Sequence, residues 1–180
     1  MRKALYILGI LDDGDASWLA TTGRTQAIPA GAVIIEQGVP VNSVFILIDG
    51  QLQVYSGSVV IARLLAGEIV GEISFVDSRP PSASVKATVD SQVLAVPKAA
   101  LRVKLQKDLG FASRFYLSLA TFLADRLRMA DARLSAGAKG GDGELGEDLD
   151  ELDTDMLENI ALASARFDMI IKRLGAQSTR

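Results

Sequence analysis

The chain has 180 residues, 49% of them apolar and 6% aromatic, with a formal net charge of −3. That is enough for one well-packed domain with appendages, globular rather than disordered. It holds no cysteine and no histidine, which excludes disulfides, thiolate or imidazole metal sites, and nucleophile systems built on Cys/His or Ser-His-Asp. The lack of cysteine suits a cytoplasmic protein, and the acidic balance argues against a nucleic-acid or anionic-membrane surface as partner.

Met1-Arg2-Lys3 and the apolar run Ala4–Leu11 imitate the start of a secretory signal. The run is short, and Asp12-Asp13 close it where small residues would be needed, so a short helix packed on the domain is expected. No later segment approaches the length of a membrane span. Asp13-Gly14-Asp15-Ala16 reads as a turn and N-cap, with a helix through Trp18, Leu19 and Ala20 to Thr22-Gly23.

From Arg24 the period changes to that of strands. Thr25–Ile28 and Val33–Ile35 flank a Pro29-Ala30-Gly31 turn, and the second ends at Gln37-Gly38. Val44–Ile48 is a continuous apolar run, expected to be buried on both faces. Asp49-Gly50 is the strongest hairpin signal, with Leu52 and Val54 on the return strand. Ser56-Gly57 turns the chain into Val59–Leu64. Ala83–Val89 and Gln92–Val96 read as another hairpin about Asp90-Ser91. About eight short strands separated by turn signals predict an all-β roll or barrel.

At Pro97 the pattern becomes helical, with Pro97 as the first helical residue. Lys98–Lys107 forms a short helix. Gly110 precedes a long one over 111–134 with two apolar stripes: Phe115, Leu119, Phe122 and Met129 on one face, and Tyr116, Ala120, Leu123, Leu127, Ala130 and Leu134 on another. Two stripes call for two partners, the roll and a second helix in this chain or a twin subunit. The organisation expected is a domain over 1–135, a flexible acidic linker over 136–153, an amphipathic helix over 154–175 and a tail over 176–180. The last helix carries the seam Leu157, Ile160, Ser164, Phe167, Ile171 and Leu174, which should dock on the long helix or its twin in a second subunit, or else capture a protein partner.

The stretch Leu65–Val85 has the densest chemistry. Gly71-Glu72-Ile73-Ser74-Phe75 is one helical turn behind a glycine, followed by Arg79-Pro80-Pro81 and the hydroxyls of Ser82 and Ser84. A close backbone approach, a helix N-terminus, one carboxylate and serine donors suit a phosphate and a sugar. The same residues also suit a surface loop stopped by prolines.

Taken together, the chain from Ile7 to Leu134 resembles the cyclic nucleotide-binding domain family of catabolite activator protein, cyclic-AMP-dependent kinase regulatory subunits and gated channels. The resemblance rests on Pro29-Ala30-Gly31 with Ile34 and Gly38, Asp49-Gly50 followed by Val54, Gly67-Glu68 before Gly71-Glu72, Ser82-Ala83, and the order of helices. It implies a mainly β fold with flanking helices: an eight-stranded β-roll or jelly-roll, short N-terminal helices, a long C-terminal helix and one more after it. It implies a ligand, cAMP or cGMP, held at a phosphate-binding cassette. Gly71, Glu72, Ile73 and Ser74 would lie along the ligand, with Glu72 accepting from the ribose 2′-hydroxyl. Ser82 and the Ala83 amide would hold phosphate oxygens, Ile61, Ala62 and Leu64 the apolar side, and Asp131 the base.

One departure stands out: the family's phosphate-neutralising arginine falls at Pro81, and the cassette's arginine is Arg79, two residues earlier. The function expected is a regulatory sensor module, not an enzyme, without its own DNA-binding output, dimeric through helix 111–134. The alternative is a degenerate fold used for ligand-independent dimerisation or assembly.

Overall fold

The computed structural model describes the backbone over residues 6–138 and 154–177, and side chains over 8–124, 127–128 and 161–174. Residues 139–153, the bulk of the expected linker, lie outside the described residues, as do the side chains of Met129, Ala130, Asp131, Leu134, Leu157 and Ile160.

Two short helices open the chain, α1 (Tyr6–Ile10) and α2 (Asp13–Thr22). The N-cap of α2 is Asp12, earlier than the Asp13–Ala16 turn expected. Asp12 and Asp15 form a reciprocal capping box that satisfies two end amides. Eight strands follow: β1 (Arg24–Ile28), β2 (Val33–Ile35), β3 (Ser43–Asp49), β4 (Leu52–Ser56), β5 (Val59–Leu64), β6 (Ile69–Val70), β7 (Ser84–Ala87) and β8 (Ser91–Pro97). A single-turn helix, α3 (Ile73–Val76), lies between β6 and β7; α4 (Lys98–Lys107), α5 (Leu109–Ala138) and α6 (Thr154–Gln177) complete the order.

The strands form two antiparallel four-stranded sheets, ordered β1-β8-β3-β6 and β2-β7-β4-β5. Between the sheets sit Phe45, Leu47, Val93 and Ala95 of the first against Leu52, Leu64, Val85 and Ala87 of the second. The first sheet's other face, with Val44, Ile46, Ile48, Leu94 and Val96, packs under the helices. Successive strand residues face opposite sides, so a strand covered on both faces must be apolar throughout. That is why Val44–Ile48 is a continuous run.

Two expected hairpins are corners instead. β3 and β4 belong to different sheets, as do β7 and β8, so neither Asp49-Gly50 nor Asp90-Ser91 joins paired strands. Both turns reverse the chain locally, but β3 is already flanked by β8 and β6. The corners lie side by side: Gly50 has φ +96°, and a Cβ there would stand 2.3 Å from Ser91 Oγ. The Ser56-Gly57 turn does join an antiparallel pair, β4 and β5.

Pro97 closes β8 and serves as N-cap of α4 rather than its first residue. Gly110 lies within α5, not before it, because Asp108 takes the capping role. Its carboxylate accepts from the Phe111 N–H at 2.9 Å and from Lys104 Nζ at 2.7 Å. The Lys104 bond, then the Phe111 amide, hold this carboxyl below the usual range.

Phe111, Phe115, Leu119 and Phe122 bury the first stripe of α5. The second stripe is uncovered at Tyr116, 51% exposed, and Leu127, 63% exposed. The final helix goes elsewhere: α6 packs on α1 and α2, not chiefly on α5. Its buried seam is Ala163, Ile170 and Leu174 with half-buried Phe167, one position off the Ser164/Ile171 register expected. Arg166 fixes this docking, donating to the Leu8 and Gly9 carbonyls at 3.0 and 2.8 Å and to Asp13 at 2.9 Å. Arg114 of α5 likewise grips the buried Asp15 at 2.6 and 3.1 Å. Among the described residues no helix is long and apolar enough to cross a membrane.

Candidate functional site

A cleft of about 380 Å³, counting its open mouth, lies where β6 leads into α3 and the chain returns into β7. Its apolar floor is Ile35, Val54, Val70 and Val85. One wall is Gly71, Glu72, Ile73 and Ser74; the other is Pro81, Ser82 and Ala83. Gly71 makes the first wall possible. Its φ is +85°, and a Cβ would stand 3.0 Å from the Ser43 carbonyl, so the turn presses directly on β3.

Glu72 is 2% exposed although ionisable. Burying a carboxylate is costly unless it has partners or serves a ligand. Behind the same wall, Lys98 donates from Nζ to Ser74 Oγ at 2.7 Å, and Ser74 donates to the Gly71 carbonyl at 3.1 Å. Lys98 is itself buried, and desolvation first, then Arg102, lower its pKa, while Glu72 and Asp77 act to raise it. The far wall is pinned by the Gly38 N–H on the Pro81 carbonyl at 2.9 Å. Ser84 turns inward and accepts from the Gln37 N–H at 2.9 Å, a structural rather than cleft-facing hydroxyl.

Thus six of the sequence-derived site residues share the cleft: Gly71, Glu72, Ile73, Ser74, Ser82 and Ala83. The others stand apart. Leu64 is buried in the inter-sheet core with Ala62 packed beside it, and neither borders the cleft. Ile61 is 43% exposed at a β-bulge, where the register of β4 against β5 slips. Arg79 is exposed on the rim, its backbone N–H donating to Asp77 Oδ1 at 3.0 Å. Asp131 lies on α5 where side chains fall outside the described residues.

Lys98 escapes a motif-based reading, yet it carries a signal. A lysine in the first turn of a helix opposes the macrodipole, so its place needs another cause. The turn also reaches the helices: Phe75 of α3 meets Phe115 of α5 edge-on at 6.1 Å, with Arg102 over the Phe75 ring at 5.6 Å.

Comparison with known proteins agrees with this architecture. The family profile described as the cyclic nucleotide-binding domain matches residues 25–108. The Pycsar effector protein XpPycTIR of Xanthomonas perforans is 29% identical over 119 residues, covering 66% of this chain and 39% of that protein. A cAMP-dependent protein kinase regulatory subunit from Colletotrichum orbiculare is 30% identical over 102 residues, 56% of this chain and 26% of its own length. The chain therefore spans well under half of these relatives. A solved cyclic nucleotide-binding domain from Methylobacillus flagellatus shares the fold, with TM-score 0.67 at 23% identity over 79% of this chain and 85% of that one. With its two-sheet roll, inserted single-turn helix and flanking helices, the chain resembles the cyclic nucleotide-binding domain family, whose profile its residues 25–108 match.

Proposed function

We propose that this chain is a cytoplasmic, cyclic-nucleotide-responsive regulatory module whose output is conformational rather than catalytic. The observation that carries this reading is the buried Glu72 carboxylate in a cleft whose single-turn helix contacts the long helix through Phe75 and Phe115. A cyclic nucleotide would set its ribose hydroxyl on Glu72 and its phosphate near Ser82 and the Ala83 amide. A shift of α3 on binding would move Phe75 against Phe115, so that the ligand favours one position of α5. The uncovered stripe of Tyr116, Ala120 and Leu127 supports a homodimer through α5. Leu162 and Ile171, exposed on α6, offer a secondary contact for a protein partner.

A second reading has its own observation. Pro81, not an arginine, borders the cleft, and Arg79 lies on the exposed rim. This favours a degenerate site on a fold kept for dimerisation. Calorimetric titration with cAMP and with cGMP separates the two. Saturable micromolar binding of either supports the sensor; no binding by a protein that light scattering finds dimeric supports the assembly module. A monomer at tens of micromolar, about the range where a weak dimer forms, would remove the dimer from both.

A further inference from the structure

Lys98 is outside every motif that marks the cleft, and a buried lysine with no role would be unfavourable. Its backbone is held first: Pro97 caps the helix, and the Lys98 N–H donates to the Asn42 carbonyl at 2.9 Å. From that fixed point the side chain runs beneath α3 to Ser74 Oγ at 2.7 Å, and the Ser74 hydroxyl in turn donates to the Gly71 carbonyl at 3.1 Å. A trans peptide is planar, with C=O and N–H opposed. Fixing the Gly71 carbonyl therefore fixes the direction of the Glu72 N–H, one of the amides bordering the cleft.

We propose that Lys98 is a positioning residue of this cleft: from the first turn of α4 it sets the Gly71–Glu72 peptide through Ser74 and offsets the Glu72 carboxylate, readying the wall for an anionic, hydroxyl-bearing ligand. The inference rests on the cyclic-nucleotide reading for the ligand, but not for the internal arrangement. The charged groups acting on Lys98 are Glu72 and Asp77, at the two ends of α3, and Arg102 on its own helix. A cation in that place supplies from below part of the positive charge that Pro81 does not supply from the side. An anionic ligand favours the protonated lysine, so affinity should fall as pH rises through the lowered Lys98 pKa.

The test uses the full chain with Lys98→Met, which removes charge and donor but keeps the length, and Lys98→Arg, which keeps the charge. Amide exchange without ligand is read over 71–76, and cAMP binding by calorimetry from neutral pH to about 10. Lys98→Met should exchange about tenfold faster over 71–76 than wild type, with the β-sheets unchanged, and bind cAMP about tenfold more weakly. Lys98→Arg should restore both and lose the alkaline fall in affinity that wild type shows. Unchanged exchange over 71–76 in Lys98→Met overturns the proposal, as does an alkaline fall retained by Lys98→Arg. If Lys98→Met does not fold, the wild-type and Lys98→Arg pH profiles decide. If wild type binds no cAMP, the ligand reading fails while the exchange comparison still decides the role of Lys98.

Discussion

The two walls of the cleft are built differently. Gly71–Val76 is set into the body of the protein: Gly71 presses on β3, Ser74 is held from α4, and Phe75 is 6% exposed among the helix aromatics. Asp77–Ser82 is a rim. Asp77, Ser78, Arg79, Pro80 and Ser82 are all exposed, and Ser78 takes the left-handed conformation with φ 57°. The ties among the described residues are backbone-donated bonds: Asp77 N–H to the Ile73 carbonyl, Arg79 N–H to Asp77, and Gly38 N–H to the Pro81 carbonyl. The inner wall cannot change without disturbing the core, whereas the rim can. That difference explains how a proline can stand at position 81, where the resemblance implies an arginine, while the fold remains intact.

The sharpest break of this comparison is Phe75→Ala. Emptying a buried aromatic site typically costs about 3–5 kcal/mol. Here the loss also severs the contact with Phe115. Chemical denaturation should show a loss in that range, and a loss under about 1 kcal/mol would mean that α3 is no part of the helix core.

Pro81→Arg tests the other wall. A charge-assisted contact to a phosphate contributes about 1.5–3 kcal/mol, so cAMP affinity should rise about ten- to a hundredfold. Stability should move by less than about 1 kcal/mol, the usual scale for losing a loop proline. A large stability change would show that the rim is as constrained as the inner wall.

Gly71→Ala returns to the inner wall with a smaller expected effect. A left-handed alanine costs roughly 1–2 kcal/mol, and its Cβ would crowd the Ser43 carbonyl at 3.0 Å. A lowered melting temperature with weakened ligand binding is expected. An unchanged melting temperature would mean that the turn relaxes freely.

Lys98 gives the inner wall a pH signature. Its folded pKa is lowered from 10.5, chiefly by burial. Between that lowered value and the unfolded one, the unfolded chain binds the extra proton. Stability therefore gains from Lys98 as pH rises through this window. The unfolding free energy of wild type minus that of Lys98→Met should climb from neutral pH toward about 10. A flat or falling difference contradicts a buried lysine beneath the cleft.

The inner wall was legible in the sequence because its constraints are local. Gly71 needs a positive φ, Glu72 follows it, and one apolar turn comes next. The continuous run Val44–Ile48 likewise announced a strand covered on both faces. What the sequence concealed is non-local. Asp49-Gly50 and Asp90-Ser91 have hairpin chemistry, but strand pairing is decided by which edges are already taken. Ile170 and Ile171 are adjacent, so periodicity alone leaves the seam of α6 uncertain by one position; Arg166 on the end of α1 fixes it. The resemblance implies a pocket place for Leu64, whereas alternation along β5 turns it into the inter-sheet core. Lys98 meets Ser74 across 24 residues, a pairing that no motif spans.

The smallest effect belongs to Arg79→Ala. The side chain is exposed, and the tie to Asp77 uses the backbone N–H, which alanine retains. Pro80 holds Arg79 toward an extended backbone whatever its side chain, so the rim should keep its shape. An exposed charge contributes at most about 1 kcal/mol, which limits the loss of cAMP affinity to about fivefold, and stability should stay within about 0.5 kcal/mol. Combined with Pro81→Arg, the effect should shrink further, since the new arginine would take the phosphate. If Arg79→Ala instead abolishes binding in the wild-type background, the rim arginine swings into the cleft when the ligand arrives. The outer wall would then be mobile and functional, and Arg79 would stand in for the family arginine from two residues away.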